Sequence, residues 1–431
     1  MTTGSSPVPG ALARLFDRRP MDAVEWGLDR IEALLAALDN PHRAFETIHI
    51  AGTNGKGSTA TFAASVLAAH GHRVGLYTSP HLDDLRERFV VGGVPVEDTI
   101  LERVATEMLA LPEAEPATYF EVATAVAFAA FREAGVDWAV VETGLGGRLD
   151  ATNVIEPRVA VVTTIGIDHA DVLGDTPEAI AAEKGGIFKR GVPAVLGNVS
   201  DRAREVLEEA ARRVAAPVAT LGDEGSILDV TTRLEGTQFR YSSRRWPDGL
   251  ELKTGLVGRH QAENASLAIL ALESAGLRLG RGRTRRAIAG AVIPGRFEIR
   301  KIGRETWVLD IAHNREGLEA VMGTLEEVNA PRPRVSVVGI LSDKPWAGML
   351  EMLRLDMQAI ILTQAGSAPK DRCWNLPEVS GATDAGATAL RVEPDLGRAL
   401  EMAAQEGAGG TILVTGSMYT VSAARRELTG T

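Results

Sequence analysis

Seven residues, Gly52-Thr53-Asn54-Gly55-Lys56-Gly57-Ser58, stand between an apolar strand pattern, "TIHIA", and a small-residue helix pattern that runs to about His70. Glycines at such a point let backbone N–H groups close on a phosphate, the helix start adds partial positive charge, and Lys56 can reach a terminal phosphate. A plain strand-to-helix turn has no need of a lysine and several hydroxyls. The loop departs from the general GxxxxGK[ST] pattern, because Gly57 follows the lysine where a magnesium-binding hydroxyl is usual, and the hydroxyl comes one residue late at Ser58. Oxygen ligands must then come from elsewhere. Glu142 ends the run "WAVVE", and Asp168 and His169 follow "VAVVTTIG". In open parallel sheets ligands gather beyond the carboxyl ends of the strands, so these side chains are expected to converge on the loop. Carboxylate and hydroxyl oxygens suit magnesium, whereas imidazole is a less usual partner.

Those residues need elements to carry them. In "MDAVEWGLDRIEALLAAL" the apolar residues Val24, Leu28, Ile31, Leu35 and Leu38 recur at steps of three and four, the mark of an amphipathic helix. Strand patterns "TIHIA", "RVGLY", "WAVVE" and "RVAVVTTIG" then alternate with helical stretches, which predicts a mostly parallel sheet with crossover helices on both faces. "DTPEAIAAEKGGIFKRG" has Thr176 as helix cap, Pro177 in the first turn and Gly191 as the stop, which places Lys184 on a short helix. Around "RLEGTQFRYSSRRWPDGLELKTG" short strands with turn residues read as an antiparallel edge to the first domain. A second, smaller α/β unit starts near "IPGRFEIRK", with strands at "WVLDIA", "RVSVVGI", "QAIILT" and "TILVTGS". The expected division is 1–294 and 295–431, with the boundary near Pro294. "GATDAGATAL" reads as a small-residue loop.

The 431 residues are enough for two or three domains, and their hydrophobic and charged shares are those of an ordinary globular protein. A formal net charge of −11, with no basic run, disfavours nucleic acid or an anionic membrane as partner. The single cysteine, Cys373, allows no internal disulfide and no multi-thiolate metal site. The start "MTTGSSPVPGALARLF" lacks a signal-peptide arrangement, and no apolar run is long enough to cross a bilayer, so a cytoplasmic protein is expected. Neither a GxSxG triad signature nor a placed cysteine nucleophile is present, so the chemistry should begin with ATP.

Further blocks follow the loop in order: "YTSPHLDDLRERFVVGG", "TYFEVATAVAF", "VETGLGGRLDATN", "IGIDHADVLGDTPEAIAAEKGGIFK", "GRHQAENASLA", "PGRFE", "LDIAHN" and "GILSDKP". Together with "GTNGKGS" they resemble the Mur ligase superfamily and, within it, the folylpolyglutamate synthase and dihydrofolate synthase family, over residues 22 to 345. Departures are Gly185 where alanine is usual, Ile293 where tryptophan precedes "PGR", and Arg315 where proline often follows "AHN". The last third of the carboxy-terminal domain matches less firmly.

The resemblance implies a P-loop ATPase-like domain with a mostly parallel sheet (1–294) and a Rossmann-like glutamate-ligase domain (295–431). It implies ATP binding by Gly52, Thr53, Asn54, Gly55, Lys56, Gly57, Ser58, Asn264, Arg296, Asp310 and His313, with Asn314 alongside. Metal-binding positions would be Ser79, Glu142, His169 and Lys184, for two magnesium ions, with Lys184 carbamylated. Lys56, His169 and Lys184 would carry the catalysis. A neutral amine is required for carbamylation, so the pKa of Lys184 must be lowered. The implied reaction is ATP-dependent addition of L-glutamate to a folate, and to dihydropteroate, through an acyl phosphate, with the two domains closing over the reactive intermediate. Tyr119 and Phe120 are as suited to contact a pterin or benzoate ring as to pack in the core. By resemblance the chain is a monomer with small-molecule partners. The rival readings are a Mur-type ligase for another carboxylate, disfavoured by the roughly fifty residues ahead of the loop, and a non-catalytic ATP-binding regulator, disfavoured by intact Lys56, Glu142, His169 and Lys184.

Overall fold

The computed structural model describes residues 10–15, 26–376, 378–379 and 388–429. Among these residues the chain forms three sheets. The largest contains β1 (Glu46–Ala51), β2 (Val74–Tyr77), β3 (Phe89–Val91), β4 (Val94–Pro95), β5 (Trp138–Glu142), β6 (Val159–Val162), β7 (Ala194–Leu196) and β8 (Val218–Thr220), in the order β4-β3-β2-β5-β1-β6-β7-β8. β2, β5, β1, β6, β7 and β8 are mutually parallel, and β3 and β4 turn back antiparallel at one edge. Every residue of β6 and β7 is buried, as strands covered on both faces must be, which is why they read as unbroken apolar runs.

Helix Tyr119–Glu133 supplies much of one covering layer. It starts at a reciprocal cap: Glu121 N–H donates to Thr118 Oγ1, and Thr118 N–H donates to the Glu121 carboxylate at 2.7 Å. Its Phe128 and Phe131 join Tyr77 and Phe89 in a core where each buried aromatic or aliphatic side chain contributes about 1.5–3 kcal/mol. On the other side, Ile187, Phe188, Leu196 and Leu207 form a second cluster.

β9 (Gly225–Arg233), β10 (Gly236–Ser243) and β11 (Leu250–Thr254) make a separate three-stranded sheet in the order β11-β10-β9. At these residues, where an antiparallel edge to the first domain is expected, the strands pair with one another, and the antiparallel strands of the large sheet are β3 and β4. The polar–apolar alternation signals strands with one wet face but does not say which sheet they join.

The third sheet holds β12 (Glu298–Ile302), β13 (Glu305–Leu309), β14 (Arg334–Val338), β15 (Ala359–Leu362), β16 (Ala389–Val392) and β17 (Thr411–Thr415), in the order β12-β13-β17-β14-β15-β16. Only β12 runs antiparallel to its neighbour. Phe297, Leu318, Leu350 and Ile360 lie in its core.

By contacts the chain divides into two compact units. One is Met1–Asp229, Phe239–Lys253 and Ala262–Ala291, and the other is Val230–Gln238, Thr254–Gln261 and Val292–Thr431. The first amphipathic helix is Asp29–Ala37, with Ile31, Leu34 and Leu35 buried. Val24 and residues 381–387 of the small-residue loop lie outside the described residues. Helix Pro177–Gly185 has the expected cap, Ala179 N–H to Thr176 Oγ1 at 3.2 Å. Its stop, however, is the Gly185-Gly186 pair and not Gly191. A Cβ on Gly186 would come within 2.6 Å of the Arg148 backbone, so the chain leaves the helix where another loop crosses it.

Candidate active site

Four neighbouring parallel strands, β2, β5, β1 and β6, deliver the candidate residues to one edge of the large sheet. β1 leads into the glycine loop and helix Lys56–Ala69, while Glu142 is the last residue of β5, paired in register with Ile50. Ser79 follows β2, and Asp168 and His169 follow β6.

The loop is fastened to the segment after β6. Thr53 N–H donates to Thr164 O at 2.9 Å, Asn54 N–H to Thr164 Oγ1 at 2.9 Å, and Thr163 Oγ1 to Asn54 O at 2.6 Å. Gly55 caps the helix at φ +83°, a left-handed conformation that disfavours any side chain, and a Cβ there would stand 2.5 Å from Asn264 Oδ1. Asn264 thus reaches the loop, and Thr59 Oγ1 donates to its Oδ1 at 3.4 Å. Lys56 Nζ folds back to donate to Gly52 O at 3.1 Å and Thr53 O at 3.2 Å. Ser58 is buried in the first helical turn.

The question posed by Gly57 has a geometric answer. A Cβ on Gly57 would lie 3.4 Å from Glu142 Oε2, so the carboxylate occupies the space beside the position where a larger residue is usual. The same Oε2 accepts from Ser79 N–H at 3.1 Å. Glu142, Ser79 and the loop are therefore one cluster, with a nearly buried carboxylate at its centre. Among the described residues no three His, Cys, Asp or Glu side chains are grouped to hold a metal ion. The donor set fits a hard cation held by one or two carboxylates, a hydroxyl and phosphate oxygens, which is the habit of magnesium.

Lys184 is buried at the last turn of its helix, and its pKa is lowered to about 7, by burial first and then by the cation of Lys56, against the carboxylates of Asp168 and Asp150. These four groups lie within electrostatic reach of one another. His169 sits at φ +53°, with its backbone N–H donating to Asp168 Oδ1 at 3.0 Å and Nε2 3.8 Å from the same oxygen. Asp168, the better buried of the two, is the one that acts on Lys184. Asp150 shapes the glycine-rich "TGLGGRLD" loop, accepting from the amides of Gly144 and Leu145 at 2.9 Å each. Burial raises its pKa despite those bonds. Phe120 packs its ring 6.1 Å from that of Tyr77 and against Gly144, while Tyr119 lies under the Arg88 guanidinium at 5.6 Å. Phe120 is thereby a core residue.

Within the second unit, Asp310 is buried and its carboxylate is engaged by backbone: Oδ2 accepts from Phe297 N–H at 2.7 Å and Oδ1 from Ala312 N–H at 2.8 Å. Asn314 caps helix Arg315–Glu327 through Gly317 N–H at 2.9 Å. His313 Nδ1 lies 2.9 Å from Ile311 O. Arg296 acts electrostatically on Asp310 and on His260, whose pKa is lowered to about 4 by burial and then by that cation. His260 was not singled out from sequence, although it stands four residues before Asn264 in "GRHQAENA"; a lone histidine at a helix start gives little signal.

Comparisons with known proteins extend these observations. A family model described as the Mur ligase middle domain matches residues 50–272, and one described as the Mur ligase, glutamate ligase domain, matches residues 295–418. The chain is 36% identical to a dihydrofolate synthase/folylpolyglutamate synthase of Bacillus subtilis, over 94% of this chain and 95% of that one. It resembles the structure of Mycobacterium tuberculosis folylpolyglutamate synthase complexed with ADP and AMPPCP at a TM-score of 0.87 and 34% identity, over 98% of each chain. A folylpolyglutamate synthase–AMPPCP–folate complex matches at a TM-score of 0.83 and 31% identity, over 97% of this chain and 98% of the other.

Proposed function

Starting from the fact that this chain belongs to the folylpolyglutamate synthase and dihydrofolate synthase family of Mur ligases, we propose that it is an ATP-dependent ligase that joins L-glutamate to folates and to dihydropteroate. The carrying observation is the cluster of phosphate loop, Ser79 and Glu142 at the carboxyl edge of one sheet, with the buried Lys184, its pKa lowered to about 7, in electrostatic reach of Lys56. Relatives with this name, and solved relatives holding ATP analogues and folate, support it.

A carboxylate oxygen of the acceptor attacks the γ-phosphorus of ATP, the bond to the β–γ bridging oxygen breaks, and ADP leaves an acyl phosphate behind. The α-amine of glutamate then attacks the acyl carbon, phosphate departs, and the amine proton passes to solvent. The first step turns a poor leaving group into a good one. Lys56 offsets charge on the phosphate oxygens, and the loop amides and helix start face the same charge. Arg296 spreads charge on the transferred phosphoryl group. Asp310, with both oxygens on backbone amides, contributes mainly by holding the segment that carries Arg296. Ser79, Glu142 and His169 would hold magnesium, and Lys184 would serve a second ion as its carbamate; when bound, the ions offset charge in phosphoryl transfer. Carbamylation needs no further catalyst: the neutral amine attacks carbon dioxide, an N–C bond forms and one proton is released.

The assigned division of labour is 1–294 for ATP and 295–431 for glutamate ligation, in a cytoplasmic monomer without nucleic-acid or membrane partners. Among the described residues no helix is long and apolar enough to cross a membrane. The test is incubation with ATP, magnesium and glutamate plus either tetrahydrofolate or dihydropteroate, with products weighed by mass spectrometry. Gain of one glutamyl residue is expected on each acceptor. Hydrolysis of ATP indifferent to both acceptor and glutamate would sink the reading, and the absence of any turnover would favour a regulator.

A further inference from the structure

The carboxy-terminal helix Met418–Thr429 begins where the glutamate-ligase match ends, at residue 418, so that match gives the helix no role. Its surroundings do. Just before it, Gly416 N–H and Thr415 Oγ1 both donate to Ala312 O, at 3.0 and 3.2 Å, tying the helix start to the "LDIAHN" segment. Two turns into the helix, Arg425 Nε donates to Glu298 Oε2 at 2.8 Å. That oxygen also accepts from Gly295 N–H at 2.9 Å. Arg300 completes the arrangement, donating through Nε to Glu298 Oε1 at 2.9 Å and through Nη1 to Arg425 O at 3.0 Å.

What this network holds is an unusual turn. Gly295 lies at φ +69° and Phe297, a bulky residue, at φ +45°. A non-glycine residue persists there only when its surroundings over-determine it. The fastenings are Ile311 N–H to Gly295 O at 3.0 Å, Phe297 N–H to Asp310 at 2.7 Å, and Gly295 N–H to Glu298. Arg296 is the residue between. Glu298 can keep its oxygen on Gly295 only while its carboxylate is aimed, and two guanidiniums aim it. All these side chains are less than a quarter exposed, so the ion pairs are better sheltered than ordinary surface pairs.

We infer that Glu298 and Arg425 are positioning residues for the ligase reaction: together they fasten the Gly295–Phe297 turn to the carboxy-terminal helix and so fix the direction of Arg296. The inference rests on the reading above in which Arg296 serves the nucleotide.

The full-length protein and its variants Arg425→Met, Arg425→Lys and Glu298→Gln provide the test, each assayed for kcat, KM, thermal midpoint and amide hydrogen exchange across 292–298. Arg425→Met should lower kcat about ten- to hundredfold, the scale of an ångström-sized misplacement. KM for the folate acceptor should change little, and the Gly295 and Phe297 amides should exchange faster. Arg425→Lys should restore part of both. Glu298→Gln keeps an acceptor for Gly295 but loses the ion pairs, and should fall between. Unchanged exchange at Gly295 and Phe297 in Arg425→Met overturns the inference, as does a kcat that falls only with the folded fraction. A wild-type protein that makes no glutamylated product would overturn the functional reading instead, and exchange in the same variants would still judge the fastening.

Discussion

The pKa of Lys184 is lowered by two forces of different range, loss of water on burial and then the cation of Lys56. Its folded-state pKa of about 7 lies below the ordinary lysine value. In the window from there to the ordinary value the unfolded chain binds more protons than the folded one, so the unmodified residue makes folding more favourable as pH rises. Below about 7 the penalty of the buried cation is fully present. In protein stripped of carbon dioxide, where the amine is unmodified, Lys184→Met should therefore raise the thermal midpoint most at pH 6 and progressively less toward pH 9, followed by scanning fluorimetry, while in bicarbonate turnover falls about a hundredfold or more. If Lys184 is carbamylated, protein equilibrated with 13C-bicarbonate should show a carbamate carbonyl resonance that is lost on acidification and absent in Lys184→Met. At Glu142 the expectation differs: Glu142→Gln retains an acceptor for Ser79 N–H and should fold normally, but raise the magnesium concentration for half-maximal activity by tenfold or more.

Helix Pro177–Gly185 owes its place to the glycine loop beside it. A Cβ on Gly147 would lie 2.9 Å from Glu183 O and 3.0 Å from Lys184 O, so Gly147→Ala must push the helix away. Destabilisation of about 1–3 kcal/mol is expected from such overpacking, read in urea unfolding, together with a loss of turnover greater than the loss of folded protein. At this scale most of the first domain was legible. β1, β2, β5 and β6 are mostly buried, and β5 and β6 announce themselves as apolar runs, while Thr176 and Pro177 mark a helix start by local chemistry. The stop at the Gly185-Gly186 pair was not legible, because Gly186 answers to Arg148 across space and not to any residue in the helix. The partners of β9, β10 and β11 were hidden for the same reason. Among the candidate site residues, Lys56 is expected from the glycine loop and Glu142 from a strand end. The engagement of Asp310 by two amides could not, since a carboxylate after a strand looks alike whether it faces a ligand or its own backbone.

For the molecule as a whole, any ligand that binds only the folded chain raises its stability by mass action. AMPPCP with magnesium at about a hundred times its dissociation constant should add about 2.7 kcal/mol. The corresponding rise in unfolding midpoint should shrink on chelation and in Lys56→Ala. Lys56 has a final consequence of its own. Its ammonium rests on two carbonyls of the loop it belongs to, Gly52 O and Thr53 O, so its four-carbon arm is curled over that loop. A flat, wider guanidinium would have to abandon that perch, and preserving the positive charge by Lys56→Arg should rescue almost none of the turnover.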